Sequence, residues 1–265
     1  MRASKAMAGK EKTSRGGDKS RSGEWVYGLH SVQALLKTEP ERVQELRLLR
    51  ARNDQRLNKV RALAEQHQIT IIHASRDELE ALAPGNHQGV VALCETGEVR
   101  DEHFLFSHLE ALDRPPLVLV LDSITDPHNL GACLRTADAA GVDVVVAPKD
   151  NSVGITATVR KVASGAAETV PFVVVTNLVR TLKQMQNAGV WVIGTDGEAE
   201  STVFQTDLKG PLALVMGAEG KGMRRLTRET CDELVKLPMA GSVSSLNVSV
   251  AAGVCLYEVV RQRSG

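Results

Sequence analysis

The sequence predicts an α/β protein in two parts, and three observations lead there. From Leu117 onward, six runs with an apolar, often β-branched core recur, separated by helix-compatible segments. Strands apolar on both faces are buried on both faces, so they read as a mostly parallel sheet covered by helices on each side. Before them, residues 23–98 alternate shorter helix and strand patterns, the mark of a separate small α/β domain. Between the two, the polar stretch "VRDEHFLFSHLEALDRP" (99–115) reads as a linker with a short helix of its own, and residues 116–265 form the second domain.

In chain order, residues 1–22 carry seven Lys and Arg against Glu11 and Asp18 and have no apolar periodicity, so they read as a disordered basic arm. In "EWVYGLHSVQALLK" (24–37), Val32, Leu35 and Leu36 predict a short helix. "VQELRLLR" (43–50) alternates like a strand, and Leu57, Val60, Leu63 and Ala64 fall at helical spacing within 54–67. "ITIIHA" (69–74) reads as a strand, "RDELEALA" (76–83) as a short helix and "QGVVALCE" (88–95) as a strand. The six strands of the second part are "LVLVLD" (117–122), "DVVVAP" (143–148), "VPFVVV" (170–175), "VWVIGT" (190–195), "LALVMG" (212–217) and "ELVKLPM" (233–239).

Composition removes several classes of function. At 3% aromatic residues, stacking platforms for single-stranded RNA do not dominate. The four cysteines (Cys94, Cys133, Cys231 and Cys255) include no C-x-x-C pair, which argues against a zinc ribbon or a disulfide framework and fits a reducing cytoplasm. No apolar run approaches the roughly 20 residues of a membrane span, so no membrane partner is expected.

Ligands of open parallel sheets bind beyond the carboxyl ends of the strands, where this chain has "DSITDPHNLG", "GTDGEA", "GAEGKG" and "MAGSVSSLN". The glycine turn "GAEGKG" is not a phosphate loop. Lys221 is followed by Gly222 and Met223 rather than Ser or Thr, and Glu219 would repel a pyrophosphate. The nicotinamide-type dinucleotide fingerprint is also missing. A carboxylate among glycines suits a neutral or cationic ligand. After the first strand, Asp126-Pro127 initiates a turn, Asn129 is a candidate cap for the next helix, and His128 reads as a turn residue. Arg135, in the middle of an Ala/Leu-rich helix, calls for a carboxylate such as Glu168, a phosphate or a ligand. In the last loop, Gly241, Ser242, Ser244, Ser245 and Asn247 gather small and polar groups just before a helix.

Together, "DPHNLGACLRTADAAG" (126–141), "LVMGAEGKGM" (214–223) and "LPMAGSVSSLNVSVAAG" (237–253) resemble the three motifs of the SpoU class of SPOUT RNA methyltransferases. "VYGLHSVQALL" and "HQGVVAL" resemble the small N-terminal, ribosomal-protein-L30-like domain with which bacterial 23S rRNA guanosine-2′-O-methyltransferases bind their substrate. The resemblance implies a SPOUT catalytic domain with a C-terminal trefoil knot, which periodicity does not reveal. It also implies a homodimer whose active site is shared between subunits. The expected cofactor is S-adenosyl-L-methionine, with no metal, and the expected partner is 23S rRNA or a large-subunit assembly intermediate. The guanosine of the peptidyl-transferase P loop is the implied target.

By the same resemblance, Gly217, Leu237, Met239 and Leu246 line the adenosine pocket, with Thr195 at the end of its strand a further candidate, and Asn129, Arg135, Glu219, Ser245 and Asn247 surround the ribose oxygen. A guanidinium stays protonated, so the role expected of Arg135 is electrostatic: it grips the target phosphate and steadies the developing alkoxide. Asn129, Ser245 and Asn247 orient the ribose, and Glu219 orders Arg135 or the knot. A tRNA methyltransferase of the same class or a non-catalytic RNA-binding assembly factor would share the fold. The separate N-terminal domain and the intact motif residues favour the rRNA enzyme.

Overall fold

Two sheets organise the chain, one of four strands and one of seven. This computed structural model describes residues 23–50, 52, 54–95 and 100–265, and the basic arm read over 1–22 lies outside them. The first sheet takes β1 (Glu24–Tyr27), β2 (Val43–Leu49), β3 (Ile71–Ala74) and β4 (Val90–Cys94) in the order β1-β4-β2-β3. Strand β4 is antiparallel to both neighbours and buried along its whole length, while β2 and β3 run parallel. Helices α1 (Leu29–Thr38), α2 (Gln55–Gln66) and α3 (Arg76–Leu82) connect the strands. Asp54 caps α2 by accepting the N–H groups of Arg56 and Leu57, and Ser75 with Glu78 forms a capping box on α3. Strand β1 has no counterpart in the sequence reading. Four residues at a sheet edge are too few to establish a period, and the helical pattern that follows dominates the window.

The second part begins with α4 (Glu102–Glu110), the helix within the linker-like stretch. There follow β5 (Leu117–Asp122), α5 (Pro127–Ala139), β6 (Val144–Pro148), α6 (Ala157–Ala163), α7 (Ala166–Thr169) and β7 (Phe172–Val175). Then come α8 (Leu178–Asn187), β8 (Trp191–Thr195), β9 (Ser201–Thr202), β10 (Leu212–Gly217), α9 (Arg225–Thr230), β11 (Glu233–Lys236) and α10 (Val248–Ser264). All six predicted strands form, joined in one parallel sheet by the two-residue edge strand β9, in the order β7-β6-β5-β10-β8-β11-β9.

Side chains alternate across each strand, which builds a core on each face. Leu117, Leu119 and Leu121 of β5 pack with α5 and α10, whereas Val118 and Val120 pack with Leu105 of α4 and Leu182 of α8. Leu105 is fully buried, so α4 covers the sheet.

The two parts meet through α1, α6 and α7. Arg160 of α6 pairs with Glu24 of β1 at 2.7 Å and with Glu168 of α7, and Arg100 pairs with Glu39 at 2.7 Å. Glu168 therefore does not serve Arg135, the partnership the sequence leaves open. Gly165 (φ 101°) permits this approach, because an added Cβ would lie 3.1 Å from the carbonyl oxygen of His30.

Candidate active site

The central strands β5, β10 and β8 are neighbours running the same way, so the loops after them open on one edge together with the loop after β11. At the end of β5, the Asp126 side chain accepts the N–H of His128 at 2.9 Å, and Pro127 takes the first turn of α5. Asp126 is thus the cap, and Asn129 lies inside the first turn. That corrects the capping role expected of Asn129, whose side chain is left for another task. Its Oδ1 accepts a hydrogen bond from Nδ2 of Asn247 at 2.9 Å. Asn247 in turn caps α10, its Oδ1 accepting from the backbone N–H of Ser249 at 2.9 Å and from the Ser249 hydroxyl at 2.6 Å. One side chain therefore starts the last helix and ties the first motif to the third.

The glycine turn after β10 closes on itself. Ala218 and Gly222 exchange both backbone hydrogen bonds, at 3.0 and 2.8 Å, and Gly220 and Gly222 take the left-handed φ values of 76° and 67° that the turn requires. Two N–H groups that a phosphate cradle would aim outward are consumed in this way, in keeping with the missing Walker signature. A Cβ on Gly217 would lie 2.2 Å from the backbone of Gly222 and Met223, so only glycine fits there. Glu219 sits exposed in the turn and forms no hydrogen bond or ion pair among the described residues, with Arg135 or any other group.

A buried carboxylate fixes the far leg of the turn. Asp122, inaccessible to solvent, accepts the backbone N–H of Arg224 at 2.9 Å, its Nε–H at 2.7 Å and the Ser123 hydroxyl at 3.1 Å. Sequence reasoning missed both residues. The available signal was an acid ending a wholly apolar strand and an arginine just past the turn of what proves to be the adjacent strand. Asp196, after β8, pairs with Arg228 of α9 and accepts the Glu198 N–H at 2.8 Å. Burial pushes its carboxyl upward, but the hydrogen bonds from Arg228 and Glu198 outweigh this and hold it below the ordinary carboxylate range.

Of the expected pocket residues, Thr195 donates its hydroxyl to the carbonyl of Val215 at 3.1 Å, so its side chain locks β8 to β10. Leu237, Met239 and Leu246 are half-buried along the segment that leads to α10, and Ser245 is exposed. Among the described residues, 238–246 make no hydrogen bond, so this segment presents its N–H and C=O groups, with the serine hydroxyls, unpaired at the sheet edge. Arg135 is exposed and has no hydrogen bond or ion pair among the described residues, so the buried cation implied by the apolar helix does not arise. It stands six residues after Asn129, about 9 Å further along the helix and about 120° round it. Asn129, Asn247 and the turn around Glu219 are brought to one edge, and Arg135 makes no polar contact with any of them among the described residues. The described residues contain no cluster of three or more metal-ligating side chains and no helix long and apolar enough to cross a membrane.

This edge and its loops define a class that comparison with known proteins identifies: the model of the SpoU rRNA Methylase family matches residues 116–257, and the chain belongs to that family. A second family, RNA 2′-O ribose methyltransferase substrate binding, matches residues 25–99. Among individual proteins, the chain is 59% identical over 240 residues to the 23S rRNA (guanosine-2′-O-)-methyltransferase RlmB of Pseudomonas putida, covering 91% of this chain and 97% of that protein. It is 54% identical over 242 residues to the RlmB of Escherichia coli (strain K12), covering 91% and 99%. Among solved structures, the SpoU methyltransferase AviRb from Streptomyces viridochromogenes in complex with AdoMet superposes with a TM-score of 0.77 at 27% identity, over 94% of this chain and 96% of that one.

Proposed function

We propose that the protein methylates the ribose 2′-oxygen of a guanosine in 23S rRNA, with S-adenosyl-L-methionine as donor. The observation that carries this reading is the Asn129–Asn247 hydrogen bond, which joins the first and third motifs at a sheet edge whose loops hold an unspent backbone. The edge suits the donor. Unpaired N–H and C=O groups over 238–246 match an adenosine and an amino-acid moiety, and Gly217 lets the backbone come close. The carboxylate of Glu219 is compatible with a sulfonium and adverse to a phosphate. Bound there, the cofactor supplies a methyl group already activated by a positive sulfur.

The chain's own part is then positioning and charge. Ser245 and Asn129 orient the ribose, and Asn247 holds Asn129 in place. Arg135 clamps the target phosphate and steadies the developing alkoxide. The 9 Å and 120° offset between Asn129 and Arg135 argues that one protomer does not aim both at the same oxygen. Thr136, next to Arg135, lies against Gly253 of α10, which is flanked by the exposed apolar stripe of Val250 (52%), Val254 (37%) and Tyr257 (52%). A stripe of that kind, bordered by an unpaired arginine, supports a homodimer in which Arg135 completes the partner's site.

On this reading residues 23–98 bind RNA, residues 116–265 carry out methyl transfer, and the protein works in the cytoplasm on 23S rRNA or a large-subunit assembly intermediate. The test is methyl transfer from labelled S-adenosyl-L-methionine to unmodified large-subunit rRNA, with nuclease mapping of the product. A single 2′-O-methylguanosine is expected. Transfer to tRNA alone would move the protein to the tRNA-modifying branch, and absence of cofactor binding would make it an RNA-binding protein without this chemistry.

A further inference from the structure

The four-stranded sheet has a cavity of its own. Where β2 ends and β4 begins, residues around Leu49, Arg52 and 85–89 enclose an open cavity of about 510 Å³, within the size range of small-molecule sites. Its floor is rigid. His87 is buried, and its Nδ1 accepts the N–H of Gly89 at 3.0 Å, which puts the ring proton on Nε2, 3.5 Å from Glu80. Glu80 also accepts the N–H of Gly85 at 2.9 Å, so its carboxylate is engaged within the wall. Gln88 adopts a left-handed φ of 53°, a conformation that persists in a non-glycine residue only where its surroundings hold it. Here they do. Its Oε1 accepts the N–H of Leu29 at 3.0 Å, and its carbonyl accepts from Arg52 at 2.6 Å.

The rim contrasts with this floor. Arg76 and Asn86 line the cavity, are exposed, and have no hydrogen bond or ion pair among the described residues. An unpaired guanidinium offers a fork of donors suited to a phosphate, and an unpaired carboxamide offers a donor and an acceptor side by side, as a base edge requires. No Phe, Tyr or Trp lines the cavity among the described residues, and the one ring there, His87, is buried in the floor and held by Gly89, so a base would be held by its edge rather than by stacking. We propose that this cavity grips one nucleotide of a single-stranded RNA segment, its phosphate on Arg76 and its base edge on Asn86. The RNA substrate class rests on the function proposed above. The cavity and these two residues are what the structure adds to it.

The experiment measures binding of a fluorescein-labelled single-stranded RNA of about 12 nucleotides to the full chain over a salt series, for wild type, Arg76→Ala and Asn86→Ala. Both substitutions are at exposed, unbonded positions, and thermal melting checks that the variants remain folded. Arg76→Ala should weaken binding severalfold and reduce the slope of log affinity against log salt by about 0.7, the value for one single-strand phosphate contact. Asn86→Ala should weaken binding without altering that slope. In methyl transfer, both should raise KM for rRNA and leave kcat and S-adenosyl-L-methionine affinity unchanged. Wild-type affinity and slope in both variants would overturn the proposal. So would saturable binding of guanosine monophosphate that depends on Arg76 while RNA binding does not, which would assign the cavity to a free nucleotide. A wild-type chain that binds RNA through Arg76 yet transfers no methyl group would leave the cavity standing and remove the methyltransferase reading.

Discussion

The buried carboxylate of Asp122 holds Arg224 by two hydrogen bonds, to the backbone N–H at 2.9 Å and to Nε–H at 2.7 Å. The contact joins the end of β5 to the start of α9 and fixes the leg of the glycine turn opposite Gly217, against which the cofactor is proposed to lie. In Asp122→Asn the shape is kept, but an NH2 group must face at least one of the N–H donors. The expected cost is about 1–3 kcal/mol of stability, the penalty for a buried donor left unpaired. With the turn loosened, KM for S-adenosyl-L-methionine should rise about tenfold, a loss of uniform binding, with a smaller change in kcat. Unchanged cofactor affinity in a variant that is measurably destabilised would show that the pair serves folding alone.

Asn247 has two tasks that one substitution separates. Serine caps a helix about as well as asparagine but is too short to reach Asn129. Asn247→Ser should therefore keep stability within about 0.5 kcal/mol of wild type while turnover falls at least about tenfold. Comparable losses of stability and turnover would make the bridge to Asn129 incidental.

Burial pushes the thiols of Cys94, Cys133, Cys231 and Cys255 up to about 12. Unfolded, they titrate near 8.5. Between those values the unfolded chain holds fewer protons than the native one, so stability is complete below about pH 8.5 and falls as pH rises above it. The three buried thiols, Cys94, Cys133 and Cys255, should resist iodoacetamide at pH 8.5, the half-buried Cys231 should react more slowly than a free thiol, and all four should react in urea. Rapid labelling of the three in the folded protein would contradict their burial.

Six of the seven strands of the larger sheet were legible because each has an apolar core flanked by a turn, as were the loops of the candidate site. Strands β1 and β9 were not, being too short for a period and defined by their partners at the sheet edge. At the site, Gly217 and Asn247 could be found from their motifs. Asp122 and Arg224 could not, because their contact spans 102 residues and requires knowing that β5 and β10 are neighbours. The capping role fell to Asp126 rather than Asn129 for a local reason: Pro127 fixes the first helical residue, and the cap is the residue before it.

Arg135 poses the remaining question, since it is exposed and unpaired among the described residues while Asn129, on the same helix, is bonded to Asn247. If each site takes Asn129 and Asn247 from one subunit and Arg135 from the other, two inactive variants should complement. Arg135→Ala and Asn247→Ser, each expected to keep at most about a tenth of wild-type turnover alone, would form mixed dimers with one intact site when unfolded together and refolded. Half of the dimers are mixed and each has one of its two sites intact, so about a quarter of wild-type activity should return. No recovery in a mixture verified to contain mixed dimers would mean that each subunit builds its site alone. Two controls make the result interpretable. Val254→Glu, which puts a charge in the apolar stripe, should yield monomers by light scattering and abolish turnover. Arg135→Lys should leave stability unchanged, because no contact is lost, and lower turnover at saturating RNA about tenfold or more through loss of the planar fork. Near-wild-type turnover in Arg135→Lys would replace the phosphate clamp with a simple point charge.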